Sequence, residues 1–163
     1  MFQLFKKPDI NKHIEGAKKW VHCAYESSHT MYSLVPESDA FVELSRSFKQ
    51  KQKSFVEQVV DIIREKNLRD SAVYKAAHID RRLFSKIMSD VNYKPSKDTA
   101  IAIAIGLKLN DIEAIDLLSR AGYTFSRSIK RDLIIEYFFR EREYDMSVIN
   151  IVLDQLGEKP IGR

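Results

Sequence analysis

Two short helical runs, Ser71–Ala77 and Arg81–Ser89, meet across Ala77-His78-Ile79-Asp80. Each opens on a carboxylate, Asp70 and Asp80, able to accept a backbone N–H of the first turn. A helix, a turn of three or four residues and a second helix form a supersecondary unit of their own. On a wheel of about 100° per residue that starts at Arg81, Arg82, Ser85, Lys86 and Ser89 fall within an arc of roughly 140°. Leu83, Phe84, Ile87 and Met88 occupy the opposite side. The second helix is therefore expected to anchor four large apolar groups while three cations and two hydroxyls face outward.

Further helices surround this pair. Ser54 precedes Phe55–Lys66, and Pro95-Ser96 opens Lys97–Leu107, whose alternating Ile and Ala predict a helix buried on most sides. Asn110 starts Asp111–Ala121, with Gly122 as the expected stop. Ser126 or Ser128 opens a helix to about Arg142, and Asp145 caps Met146–Leu156, which ends at Gly157. Nearer the N-terminus, Asn11–Cys23 is expected to be helical and Tyr25–Glu37 irregular. Five glycines and four prolines in 163 residues disfavour a turn-rich β fold. The expected class is all-α.

The lysine-rich patch Lys49-Gln50-Lys51-Gln52-Lys53 interrupts an apolar stripe running from Phe41, Leu44 and Phe48 to Phe55, Val59 and Ile62. Placing a boundary at that lapse gives an N-terminal helical extension over residues 1–53 and a bundle over 54–123. A C-terminal helical pair over 124–163 is expected to pack on the bundle.

Hydrophobic residues make up 44% of the chain and charged residues 31%, enough for a real core and a wet surface. The longest nearly uncharged run, around Asp98–Gly106, is too short to span a bilayer. No apolar run near Met1 suits a secretory signal, and Cys23 is alone, so a reducing cytoplasm and no membrane partner are expected. The net charge is +4. Residues 1–54 carry nine basic and six acidic groups, 60–100 carry nine and six, and 101–163 carry nine and ten. A surface of mixed sign is common to soluble domains, so charge alone does not select a partner.

The outward face of the second helix does carry chemistry. Arginine can address guanine edges with paired hydrogen bonds, and lysine can neutralise phosphate. A short surface helix with cations on its wet side is otherwise ordinary. The stretch Val73-Tyr74-Lys75-Ala76-Ala77-His78-Ile79-Asp80-Arg81-Arg82-Leu83-Phe84-Ser85-Lys86-Ile87 resembles the helix-turn-helix of the lambda repressor and Cro family, with its L-A-x-x-x-G-[IV]-S-x-x-x-[IV]-S-x-[IW] run. The resemblance continues through Tyr93-Lys94-Pro95-Ser96-Lys97-Asp98-Thr99, like that family's K-P-S-x-x-T, and through Ile101–Leu118. It covers about residues 54–123 and implies a five-helix repressor-like bundle. It also implies that Arg81, Arg82, Ser85, Lys86 and Ser89 face the major groove, with Tyr93, Lys94, Ser96, Lys97 and Thr99 near the phosphates. Residues onward to Leu156 resemble helical modules appended to bacterial multidomain proteins.

Three positions depart from the family pattern. Tyr74 replaces a small Ala, His78 replaces a turn Gly, and Asp70 stands where a Gln usually touches the nucleic acid. A non-glycine residue at a positive φ is disfavoured, though His is among the less unfavourable. A carboxylate at Asp70 would repel phosphate. The leading expectation is a DNA-binding transcriptional regulator that inserts helix 80–89 into double-stranded DNA. The alternative is a protein-interaction or regulatory module on the same scaffold, favoured by Asp70, Tyr74 and the acidic tail. The stripe Phe41, Leu44 and Phe48 would join two copies as a homodimer.

Other constellations point to less. His13, His22, Cys23 and His29 lack metal-ligand spacing, so no metal is expected. Glu141 with Glu143, and Asp111 with Glu113, flank helix ends as caps or solvated charges. Without a Gly-rich phosphate loop or a Ser/His/Asp pattern, no enzyme and no cofactor are expected. The run Glu136-Tyr137-Phe138-Phe139, followed by Tyr144, predicts core packing, with a partner-binding groove as the alternative.

Overall fold

After Thr99 the segment to Gly106 holds only Ala, Ile and Gly, so a helix of it has no side to show water. In the computed structural model, which describes residues 9–27 and 52–162 and the side chains of the first stretch as far as His22, that helix lies at the centre. Among the described residues there are eight helices and no strand. In chain order these are α1 (Ile10–Ser27), α2 (Phe55–Glu65), α3 (Asp70–Ala76), α4 (Arg81–Ser89), α5 (Lys97–Gly106), α6 (Asp111–Arg120), α7 (Lys130–Glu141) and α8 (Met146–Gln155). Helix α1 runs past Cys23, so Tyr25–Ser27 is helical rather than irregular; no Gly or Pro interrupts that stretch. Phe41, Leu44, Phe48, the patch Lys49–Lys51, His29 and the Cys23 side chain lie outside the described residues. Among the described residues no helix is long and apolar enough to cross a membrane.

Helix starts follow short polar side chains. Ser54 and Glu57 exchange reciprocal hydrogen bonds at the head of α2, and Asn110 and Glu113 do so at the head of α6. Asp80 Oδ1 accepts the Arg82 N–H at 2.8 Å, Ser96 Oγ accepts that of Thr99 at 3.2 Å, and Asp145 Oδ1 that of Ser147 at 2.8 Å. Two expected caps are corrected. Asp70 is itself the first residue of α3, after Arg69, and caps nothing, so its carboxylate acts only through the helix dipole. Ser126 and Ser128 hydrogen-bond to each other, and α7 begins later, after Ile129, without a side-chain cap.

Six helices stop in the same way. A residue at positive φ turns the chain, and the next N–H reaches back five residues: Leu68 to Ile63, Ile79 to Tyr74, Leu109 to Ala104, Tyr123 to Leu118, Glu143 to Phe138 and Glu158 to Leu153. Gly122 and Gly157 fill two of these turns, and Asn67, His78, Lys108 and Arg142 fill the other four.

Ala100 through Gly106 are buried on every side, with α3 and α6 packed against α5. Helix α2 touches α4 and α6, α3 touches α4, and α7 rests on α1, α6 and α8. One apolar cluster runs from Ile14 to Ile161, so the N-terminal helix and the C-terminal pair share the core of the bundle. The aromatic run of α7 packs inward: Tyr137, Phe138 and Phe139 are buried. Tyr144 donates to the Leu109 carbonyl at 2.8 Å, pinning the α7–α8 turn to the end of α5.

Helices α5 and α3 approach closely at Gly106. A Cβ there would lie 2.6 Å from the Val73 carbonyl oxygen and 3.0 Å from Ala77 Cβ. Gly106→Ala should gain at most about 1 kcal/mol of helix propensity and lose more to overpacking, about 1–3 kcal/mol. A lowered thermal midpoint by calorimetry is the expected result, and an unchanged or raised one would contradict this packing.

Burial and the nearby Glu141 push the Tyr137 phenol above its ordinary range, and burial does the same for Tyr144. In the unfolded chain both lose their protons near pH 10, while the fold keeps them longer. Their contribution is complete below that pH and is lost as the pH climbs through the raised values. Thermal melts across this range should show the midpoint falling above about pH 10, less steeply in Tyr137→Phe/Tyr144→Phe than in the parent.

Candidate nucleic-acid interface

Helix α4 is held by a narrow apolar arc. Phe84 and Ile87 are buried and Met88 half-buried, where α4 meets α2 and α3. The Phe84 ring lies 5.8 Å from that of Tyr74, centroid to centroid, so the bulky residue on α3 is accommodated by an aromatic contact. Leu83, expected among the anchors, is 37% exposed. With α2 and α3 as its main supports, α4 buries about half the apolar arc that the wheel marks out, and Leu83 lies at its rim.

The turn before α4 is a helix stop of the kind described above. His78 sits at φ +52°, its N–H donating to the Lys75 carbonyl at 3.1 Å and the Ile79 N–H to Tyr74 at 2.9 Å. A positive φ, which glycine takes without strain, is here imposed on histidine.

Arg81, Arg82, Ser85, Lys86 and Ser89 are all exposed on α4. Ser89 turns its hydroxyl onto the Lys86 carbonyl at 2.8 Å. The Lys86 ammonium lies 5.9 Å from the centre of the Tyr93 ring, which brings the loop after α4 beside the same face. That loop is fixed by the Tyr93 N–H on the Asp90 carbonyl and by the Tyr123 hydroxyl on the Pro95 carbonyl. Lys94 is exposed there.

From Arg69 to Lys94 the chain carries six basic residues (Arg69, Lys75, Arg81, Arg82, Lys86, Lys94) against three acidic ones (Asp70, Asp80, Asp90). None of the six basic residues is in an ion pair among the described residues, and all are exposed. Asp80 and Asp90 point their carboxylates at backbone N–H groups of Arg82 and Asn92. Asp70 lines an open groove of about 540 Å³ with Arg69, Tyr74, Arg81 and Ser85, so one carboxylate does stand at the edge of the basic face. The motif does not single out the exposed Arg69 and Lys75, although the sequence places one just before the helix that precedes the turn and the other on it.

The remaining residues expected near phosphate are distributed differently. Ser96 and Thr99 hydrogen-bond to each other at 2.9 Å while Ser96 caps α5. Lys97 turns away: its ammonium donates to Asp132, a buried carboxylate in the first turn of α7. The reason is the C-terminal pair, whose α7 supplies buried charge beside α5. The residues around Asp132, apolar from Leu133 to Ile135, were the signal for it.

Among the described residues no group of three or more His, Cys, Asp or Glu side chains is placed to hold a metal. His13 packs against the rings of Tyr137 and Phe138, with Nε2 3.8 Å from Glu143.

A left-handed conformation costs an L-residue about 1–2 kcal/mol, which glycine avoids. His78→Gly should therefore stabilise the fold by about 1 kcal/mol in denaturant melts. A loss of stability would mean that the imidazole makes contacts that outweigh the strain. Comparisons of the chain with models of protein families, with curated proteins and with solved structures find no match.

Proposed function

We propose that this protein binds double-stranded DNA through α4, on a repressor-like helix-turn-helix bundle formed by residues 54–123, and acts as a transcriptional regulator. The observation that carries this reading is the run of six exposed cations from Arg69 to Lys94, unpaired among the described residues and carried at the head of α3, on α3 and α4, and on the loop after α4. Helix α4 spans nine residues, about 13 Å at 1.5 Å per residue, a size that the major groove admits. In such readers the N-terminal residues of the second helix meet base edges. Arg81 and Arg82 occupy that first turn, where each guanidinium can make two hydrogen bonds to a guanine. Ser85 offers a hydroxyl one turn on, and Lys86 and Lys94 offer charge to the backbone. The buried Phe84 and Ile87 leave this face free by fixing the opposite one.

A second reading, a protein-interaction module, is favoured by the exposed Leu83 and Val91 at the borders of α4 and by the engagement of Lys97 within the fold. The two readings differ in their response to salt. A DNA reader loses affinity steeply as salt rises, with a log–log slope of about 0.9 per phosphate contact. Fluorescence anisotropy on a mixed-sequence duplex should show such a slope. Arg82→Ala/Lys86→Ala should weaken binding about tenfold or more and make the slope shallower by about 0.9 for the lost lysine contact. No binding at low salt, or binding indifferent to both substitutions, would overturn the reading.

A further inference from the structure

The first turns of α5 and α7 face each other through two ion pairs of opposite sense. Lys97 Nζ donates to Asp132 Oδ2, and the Arg131 guanidinium holds both oxygens of Asp98 at 2.8 and 3.0 Å. The Asp132 side chain is 3% exposed and that of Lys97 27%. The same Oδ2 accepts the Ser126 N–H at 2.7 Å. A carboxylate removed this far from water depends on its cation, because an unpaired buried charge is strongly unfavourable. Lys97 cannot swing outward without stranding Asp132. Lys94, three residues earlier and exposed, has no ion-pair partner among the described residues.

We propose that Asp132 is an internal counterpart of a phosphate: it keeps the half-buried Lys97 ammonium paired within the fold and so removes one backbone contact from the DNA-binding face. Helix α7 thereby sets how tightly α4 holds a duplex. The inference rests on the DNA-binding reading above. Its chemistry is an exchange of anions, since the ammonium satisfied by the carboxylate is the group that a phosphate oxygen would otherwise take. The reciprocal pair Asp98–Arg131 holds α7 in place while that exchange is blocked.

Asp132→Asn keeps the side chain's size and an oxygen for the Ser126 N–H, and it removes the charge that retains Lys97. Anisotropy titrations on a mixed-sequence duplex should then show the log–log salt slope steeper by about 0.9 and affinity at physiological salt raised several-fold. Adding Lys97→Gln to the same chain should return both to the parent values. A folded Asp132→Asn protein with the parent's slope overturns the inference, as does a gain that survives in the double variant. If Asp132→Asn does not fold, lysine acylation of the unmodified protein decides. Lys86 and Lys94 should react readily and be protected by duplex, while Lys97 reacts slowly and equally with or without it. Protection of Lys97 to the same degree as Lys94 overturns the inference. Loss of affinity in Arg82→Ala/Lys86→Ala together with no change in Asp132→Asn would remove this inference alone, whereas no duplex binding by any of the proteins would remove both.

Discussion

A helix without a wet side organises this molecule. Helix α5 is apolar from Ala100 to Gly106, and its Ile101, Ile103 and Ile105 are 0–1% exposed, each contributing about 2 kcal/mol through removal from water. Such a helix can exist only inside other helices. Helices α3 and α6 flank it directly, and α4 is carried on α2 and α3. The orientation of the basic face is therefore a remote consequence of the Ile-Ala alternation. Whatever shifts α5 shifts α3 through Gly106, and with it the turn that aims α4.

Most of this was legible in the sequence because helix boundaries are local events. Asp80, Asn110 and Asp145 mark helix starts by their short acceptor side chains, and the spacing Ser54-x-x-Glu57 carries the same information. Helix ends were harder. Gly122 and Gly157 announce themselves and Asn67 is a type that tolerates positive φ, whereas Lys108 and Arg142 take the same left-handed conformation without any residue preference to mark it. What places Asn67 and Lys108 there is the apolar residue that follows, Leu68 or Leu109, packed on the core and drawing the backbone with it.

The candidate site divides along the same line. The exposed set Arg81, Arg82, Ser85, Lys86 and Ser89 follows from periodicity, because solvent exposure on one helix is a matter of angle. Leu83 and Lys97 do not, since their surroundings come from elsewhere in the chain. The rim position of Leu83 depends on how few helices lie beneath α4, and the pairing of Lys97 depends on a carboxylate 35 residues further on. Asp70 shows the intermediate case: its type suits a cap, but the chain enters α3 one residue earlier, at Arg69.

The crossed charges between α5 and α7 also govern alignment. Along α5 the order is Lys97 then Asp98, and along α7 it is Arg131 then Asp132, joined crosswise. Sliding one helix by a single residue would set ammonium against guanidinium in one direction and carboxylate against carboxylate in the other. The first turns of the two helices are thereby held in one registration by charge.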